Sequence, residues 1–293
     1  MTAVTRLARA KVNLSLRVVG RRSPDAPKAG YHELDSLIAF AEAGDSLTVR
    51  PADRLNLSLS GPFAAELSDE PDNLVLQAAR ALAERAGRPA GAEIALTKNL
   101  PVSSGIGGGS ADAAATLDAL TALWSLDRAV LDLAELGLRL GADVPVCLRD
   151  RSTLLRGIGE DLRTVASLPE TWILLANPGR VLSTPSVFAA REGAFSAHLD
   201  PPPAGFASAQ ALATFVAEAG NDLTAAASRL CPAIPPLLRA LESLEGALAA
   251  ALSGSGATCF ALFAEAAAAA AAADRARRDR LAPWFLVAPL ARA

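Results

Sequence analysis

The most informative segment of this sequence reads Leu100-Pro-Val-Ser-Ser-Gly-Ile-Gly-Gly-Gly-Ser-Ala-Asp-Ala-Ala114, and it joins a glycine-rich loop to the start of a helix. Four glycines fall within five positions, directly before Ser110 and Asp112. Because glycine has no Cβ, backbone N–H groups can approach an anion closely, and a helix N-terminus adds unpaired donors and the positive end of its dipole. The segment therefore predicts a site that cradles a polyphosphate.

Two common phosphate motifs do not fit this loop. No Gly-Lys-Ser or Gly-Lys-Thr completes a Walker pattern, and the third glycine of the dinucleotide fingerprint would fall at Ser110. From the residues alone, a flexible turn capped by Ser110 is the alternative interpretation.

Around the loop, short strands and helices follow one another irregularly. Alternating apolar residues from Val12 to Val18 predict a half-buried strand with Lys11, Asn13 and Ser15 on its polar face. Further strands are predicted at 45–49, 55–59, 93–98, 152–156, 172–176 and 258–263, and helices at 73–86, from 110 onward and at 128–140. Because no strict βαβα repeat appears, the pattern predicts an α+β fold, with a second domain beginning near residue 160.

Composition excludes several classes of protein. The 293 residues are 51% hydrophobic with a formal net charge of −3, which gives no general electrostatic reason to bind nucleic acid or an anionic membrane. Arginine and lysine interrupt the N-terminal apolar residues, and no stretch is long enough to span a bilayer. Cys147, Cys231 and Cys259 lack a CxxC pattern, so neither a disulfide framework nor a zinc site is predicted, and a reducing cytoplasm is expected.

Lysine is scarce in this chain. Only Lys11, Lys28 and Lys98 are lysines among the 28 basic residues. In a chain that uses arginine for most of its basic residues, a lysine is expected where the compact ammonium is needed rather than the larger guanidinium. This draws attention to Lys11 and Lys98.

The glycine loop and five further segments together resemble those of a known superfamily. The loop resembles the phosphate-binding motif of the GHMP kinase superfamily, which includes galactokinase and the homoserine, mevalonate and phosphomevalonate kinases. One branch of that superfamily is matched more closely by five segments in the same order, namely Ala10–Leu14, Gly30–Leu34, Gly141–Pro145, Arg156–Glu160 and Ser253–Ala257. The sequence departs from its relatives at Ser103-Ser104, where smaller residues are common.

The resemblance implies both a reaction and a fold. ATP would phosphorylate the 2-hydroxyl of a cytidine-diphosphate-linked methylerythritol in the non-mevalonate route to isoprenoid precursors, with Mg²⁺ carried by the ATP. The implied fold has an N-terminal, ATP-binding domain like ribosomal protein S5 domain 2 (residues 1–160). A ferredoxin-like C-terminal domain (residues 161–293) completes the substrate cleft, and the active site lies between the two.

The resemblance also implies catalytic residues. Asp143 lies between Gly141 and Pro145, where a rigid backbone can present its carboxylate as the acceptor of a hydroxyl proton. An ordinary turn aspartate is the alternative. Lys11 would hold Asp143 ionised and neutralise charge on the transferring phosphoryl group, whereas the alternative is a solvated lysine at a strand end.

The remaining predicted residues bind the two substrates. Tyr31 would stack on cytosine, His32 would read its edge, Phe188 would cover its other face, and Asn13 would bind the substrate's hydroxyl. The predicted nucleotide-binding residues are Asn73, Lys98, Pro101, Val102, Ser103, Ser104, Gly105, Ile106, Gly107, Gly108, Gly109, Ser110 and Ala111. Surface-charge and helix-capping roles are the alternatives for Lys98 and Asn73. Ser255 and Gly256 are expected to line the cleft, and His198 to be structural. No carboxylate cluster indicates a protein-held metal site.

Three other functions share some of these features. Another GHMP kinase would keep the glycine loop without needing Tyr31-His32, and a decarboxylase on the same fold would need arginines aimed at a substrate carboxylate. A nucleic-acid-binding module is disfavoured by the acidic balance and the lack of a basic stripe.

Overall fold

The computed structural model describes residues 3–26, 28–67 and 73–292. Within them the strands are β1 Val4–Asn13, β2 Arg17–Arg21, β3 His32–Arg50, β4 Asn56–Ser60, β5 Glu93–Thr97, β6 Thr153–Gly157, β7 Asp161–Thr164, β8 Trp172–Asn177, β9 Ala249–Leu252, β10 Cys259–Phe263 and β11 Trp284–Pro289. The helices are α1 Leu74–Arg85, α2 Gly108–Leu123, α3 Arg128–Leu131, α4 Leu133–Leu140, α5 Val144–Arg149, α6 Thr184–Ala189, α7 Ala209–Ala219, α8 Thr224–Leu230, α9 Ile234–Glu242 and α10 Ala266–Arg278.

The chain divides into two compact units, and the strand β3 contributes to both. The first unit comprises Met1–Ala10, Ala43–Val102 and Gly107–Asp150. The second comprises Lys11–Glu42, Ser103–Ile106 and Arg151–Ala293.

In the first unit, helices cover a small mixed sheet. The strand β5 pairs antiparallel with Ser46–Arg50 of β3 and parallel with β4. Helix α2 packs against α1, α4 and α5, and its side chains from Ala111 to Leu117 are all buried. Because most of these residues are alanines, the neighbouring helices can approach α2 closely, so its N-terminus is held firmly by packing.

In the second unit, the N-terminal part of β3 pairs antiparallel with β2 and β6, and β6 pairs with β7. A separate four-stranded antiparallel sheet has the order β11-β8-β10-β9. Its β10 is buried along its full length, from Cys259 to Phe263. Helices α9 and α10 contact this sheet, and apolar residues such as Ile234, Leu237 and Ala269 join the core beneath them.

The two sheets and the helices confirm the α+β class, and most predicted elements are found. The strand predicted over Val12–Val18 is wrong in its middle, because β1 ends at Asn13 and β2 begins at Arg17. There the Ser15 hydroxyl accepts a hydrogen bond from the Leu37 N–H at 3.1 Å, which replaces a regular ladder contact.

Two helix boundaries also differ from the predictions. The helix predicted at 128–140 is interrupted at Asp132, which has φ of 42° and whose carboxylate caps α4 by accepting from the Glu135 N–H. The helix expected from Ser110 begins two residues earlier, at Gly108. None of the helices formed by the described residues is long and apolar enough to cross a membrane.

Candidate active site

The glycine loop adopts backbone conformations that explain its composition. Gly105 and Gly107 have φ of 79° and 64°, in the left-handed region that side chains with a Cβ disfavour. Gly107 forms the N-cap of α2, whose first turn leaves backbone N–H groups without intrahelical partners. The structure therefore places a helix N-terminus directly after the glycine loop, a geometry that suits an anion.

Within the second unit, the loop residues Ser103–Ile106 lie against the late motif Ser253–Ala257. The Ser253 hydroxyl donates to the Gly105 carbonyl at 3.0 Å, and the Thr258 N–H donates to the Ser104 carbonyl at 3.1 Å. A Cβ on Gly105 would lie 2.5 Å from the Gly256 carbonyl oxygen. Because no side chain fits there, glycine at 105 is required by close backbone approach as well as by its φ.

In the first unit, the Lys98 ammonium lies between two buried carboxylates. It donates to Asp112 at 2.8 Å and also contacts Asp45, whose other oxygen accepts from the Leu100 N–H at 2.9 Å. Burial alone would lower the pKa of Lys98, but Asp112 and Asp45 together outweigh it and raise the pKa. Lys98 is therefore a permanent cation at the base of the loop, where a Cβ on Gly108 would lie 3.0 Å from its Nζ.

Asp112 is the unusual member of this cluster. Burial raises the pKa of its carboxyl to about 7, with Lys98 opposing the shift and Asp45 adding to it. Its Oδ1 is buried and has no hydrogen-bond partner within the part of the chain that the structure describes. The sequence patterns did not indicate Asp45 or Asp112 as site residues. Two signals pointed to them: a buried lysine needs a counter-charge, and Asp112 lies in the segment Leu100–Ala114.

Two other predicted residues of the first unit lie at helix starts. Asn73 is buried and caps α1, because its side-chain oxygen accepts from the Val75 N–H at 2.9 Å. Asp143 is half-buried at the start of α5, and its carboxylate is not used to cap that helix. Pro145 in the first turn of α5 fixes the local backbone, so the direction of the carboxylate is set by a rigid helix start.

In the second unit, Lys11 and Asn13 form a buried polar row at the end of β1. The Lys11 ammonium donates to the Asn13 side-chain oxygen at 3.0 Å, and the Asn13 amide donates to the Ser36 hydroxyl at 2.8 Å. The Asn13 N–H donates to the Ser253 hydroxyl, and the Lys11 N–H to the Ile106 carbonyl. The loop, the late motif and this strand end are therefore fixed to one another.

Two of the predicted base-binding residues, His32 and Phe188, meet in the second unit. The rings of His32 and Phe188 are stacked, with centroids 5.1 Å apart and planes inclined by 25°. Tyr31, which precedes His32 in the chain, is 58% exposed. Burial lowers the pKa of His32, and the charges of Arg21 and Arg191 lower it further. His32 is therefore a neutral hydrogen-bonding group near pH 7.

The remaining residues singled out from the sequence have structural contacts. His198 binds the buried carboxylate of Asp35 through Nδ1 at 2.7 Å, beside Arg156. Ser255 exchanges a hydrogen bond with Thr184 at 2.8 Å. Cys147, Cys231 and Cys259 all lie in the described ranges, where they are buried and form no disulfide bond. No group of His, Cys, Asp or Glu in the described ranges could hold a metal ion.

Comparisons with known proteins identify the relatives of this chain. Residues 73–151 match the model of the GHMP kinases N terminal domain, and residues 207–281 match that of the GHMP kinases C terminal. A Rhodospirillum rubrum protein named 4-diphosphocytidyl-2-C-methyl-D-erythritol kinase is 51% identical over 262 residues, covering 89% of this chain and 84% of that protein. A Cereibacter sphaeroides protein of the same name is 48% identical over 290 residues, covering 97% and 98%.

Solved structures agree with the sequence relatives. A crystal structure of 4-(cytidine 5'-diphospho)-2C-methyl-D-erythritol kinase superposes with a TM-score of 0.78 at 33% identity, covering 99% of this chain and all of that chain. Homoserine kinase from Cytophaga hutchinsonii gives a TM-score of 0.68 at 18% identity, covering 100% of this chain and 95% of that chain, which shows a shared fold.

The loop geometry predicts the effect of Gly107→Val. A branched side chain at φ of 64° distorts the start of α2, so the affinity for a non-hydrolysable ATP analogue should fall at least about tenfold in titration calorimetry. Gly87→Val is the matched control, because Gly87 has φ of 61° and open space around its Cβ position. It should lose similar stability and bind normally. Equal binding by both folded variants would contradict a phosphate-cradling loop.

Asp112 predicts a pH dependence of stability. Its folded pKa of about 7 lies above the value of about 4 expected in the unfolded chain, so wild-type stability falls as the pH rises between these values. Asp112→Asn cannot titrate. The free energy of unfolding of the variant minus that of the wild type should therefore increase from pH 4 to pH 7 in urea titrations. A flat difference over this range would contradict the raised pKa.

Proposed function

The chain belongs to the GHMP kinases, in the family of 4-diphosphocytidyl-2-C-methyl-D-erythritol kinases, and we propose that it transfers a phosphoryl group from ATP to the 2-hydroxyl of that alcohol. The products are the 2-phosphate and ADP, in the non-mevalonate route to isoprenoid precursors. The observation that carries the substrate assignment is the near-complete coverage of relatives with this name, at about half identity. The stacked His32–Phe188 pair supports it, since homoserine and mevalonate have no base to recognise.

ATP is held by the glycine loop in this proposal. Residues 101–111 surround the phosphates, which bind to backbone N–H groups of the loop and of the first turn of α2. Lys98 lies at the base of the loop, and Asn73 takes the adenine side. Lys98 acts through its fixed positive charge, because two carboxylates already bind its ammonium. Mg²⁺ would arrive on the phosphates of ATP, with the Ser110 hydroxyl as its protein neighbour.

In phosphoryl transfer the protein contributes mainly positioning and electrostatic stabilisation. The reaction therefore needs a group that accepts the hydroxyl proton and a cation that neutralises charge on the transferring phosphoryl group. We assign the first role to Asp143, whose carboxylate is half-buried and not engaged in capping α5. Lys11 takes the second role, because the residue is 4% exposed and Asn13 orients its ammonium. Asn13 binds the substrate's hydroxyl, and Tyr31, His32 and Phe188 bind its cytosine. We place the enzyme in a reducing cytoplasm, because its three buried cysteines form no disulfide bond within the described residues.

An ADP-release assay across candidate alcohols tests the function. With 4-diphosphocytidyl-2-C-methyl-D-erythritol, turnover should be of the order of 1–100 per second, as for other kinases, whereas homoserine and mevalonate should give only the background rate of ATP hydrolysis. Faster turnover of either smaller alcohol would assign the chain to another branch of the superfamily.

Asp143→Asn tests the proton acceptor. The substitution keeps the size of the side chain but removes the carboxylate, so kcat should fall about 100-fold or more while the affinity for ATP changes little. Asp274→Asn, an exposed helix residue paired with Arg277, makes the same chemical change elsewhere and should retain full turnover. An Asp143→Asn enzyme with most of its kcat would remove Asp143 from the mechanism.

A further inference from the structure

Arg21 and His32 face each other across the antiparallel pairing of β2 and β3. Arg21 approaches the His32 Nε2 with two donors, Nε at 3.4 Å and a terminal nitrogen at 3.3 Å. A guanidinium has five N–H donors and no acceptor, so Nε2 must accept in both contacts. In a neutral imidazole the other nitrogen then carries the proton. The contact therefore selects the tautomer with the hydrogen on Nδ1.

The same surroundings fix the charge and the plane of the ring. Burial and the two guanidinium groups, Arg21 on β2 and Arg191 just after α6, lower the pKa of His32, so the ring is neutral near pH 7. Arg191 is itself held by the Gly193 carbonyl at 3.1 Å. Stacking on Phe188 restricts tilting of the imidazole. The side chain is thus a hydrogen-bond donor of defined direction and single polarity.

We propose that Arg21 is a positioning residue that gives this kinase its preference for cytosine, by holding the His32 proton on Nδ1. The proposal rests on the function proposed above, in which His32 reads the base. Cytosine presents acceptors at N3 and O2, whereas uracil carries a hydrogen on N3. An Nδ1–H donor can therefore pair with the N3 of cytosine but meets another donor in uracil. A donor that the bound base encloses without an acceptor is penalised more than a missing contact.

Removing Arg21 frees the tautomer. In Arg21→Ala the neutral imidazole can place its proton on Nε2, and its Nδ1 then accepts from the N3–H of uracil. Competition by cytidine diphosphate and uridine diphosphate against the alcohol substrate measures this change. At pH 8 the ratio of their inhibition constants should move about tenfold toward uridine diphosphate, the size of one hydrogen-bond mismatch. Arg21→Lys, which keeps a donor-only cation, should retain most of the preference.

The pH dependence separates this role from simple attraction of the diphosphate. Protonated imidazole donates from both nitrogens, so Arg21→Ala should recover its preference for cytidine diphosphate below about pH 6.5, near the ordinary pKa of histidine. The wild-type preference should be flat from pH 8 to pH 6. Arg163→Ala is the charge-matched control, because Arg163 is exposed on β7 and paired with Asp161. If Arg21→Ala weakens both diphosphates equally at every pH, Arg21 only attracts the phosphates and the proposal is overturned.

Nitrogen-15 NMR of the ligand-free enzyme tests the tautomer directly. His32 and His198 are the two histidines of the chain, so His198→Gln assigns both rings. The wild-type His32 should show a protonated Nδ1 and a bare Nε2, and Arg21→Ala should shift toward the opposite tautomer. A protonated Nε2 in the wild type overturns the role of Arg21 even if cytidine diphosphate is preferred. If the wild type instead shows the expected tautomer but binds cytidine diphosphate and uridine diphosphate equally well, His32 does not read the base. That result would overturn the proposed substrate as well.

Discussion

The buried cation at Lys98 holds together the strands and the helix start around the glycine loop of the first unit. Its ammonium joins Asp45 on β3 and Asp112 on α2 to the end of β5, and Asp45 also accepts from the backbone after that strand. Removing one member of such a buried cluster typically costs about 3–5 kcal/mol, because it strands an unpaired charge. The cluster therefore fixes the start of α2 relative to two strands. A cradle built from backbone N–H groups works only when those groups are held still.

The cluster constrains position 108, whereas the backbone conformation constrains position 107. A Cβ at 108 would press on the Lys98 ammonium at 3.0 Å, and a side chain at 107 would oppose the left-handed turn that starts α2. On the second unit, Gly105 lies so close to the Gly256 carbonyl that no Cβ fits. The glycines of the loop thus meet different demands, and only one of these demands, close approach to an anion, is evident from the sequence motif.

Local patterns made much of the fold predictable, and remote pairings account for the remainder. The helix starting after Asn73 and the strands β5, β8 and β10 follow from apolar spacing and capping residues that lie within each segment. The break between β1 and β2 does not, because it depends on the Ser15 hydroxyl reaching the backbone of Leu37. In the site, the sequence indicated Lys98 but not Asp45, which lies 53 positions away. Side-chain partners at such separations are set by the tertiary fold, which periodicity does not encode.

The uneven use of lysine and arginine acquires a physical explanation from these contacts. Two of the three lysines, Lys11 and Lys98, are 4% and 2% exposed, and each points its ammonium at acceptors within a confined space. A compact ammonium with three donors fits there, whereas a planar guanidinium would not. At His32 the opposite property matters, since Arg21 is a flat, permanently charged donor that reaches Nε2 with two nitrogens. The chain therefore keeps lysine where a charge must be enclosed, and at position 21 its arginine supplies the rigid donor that sets the polarity of a neighbouring ring.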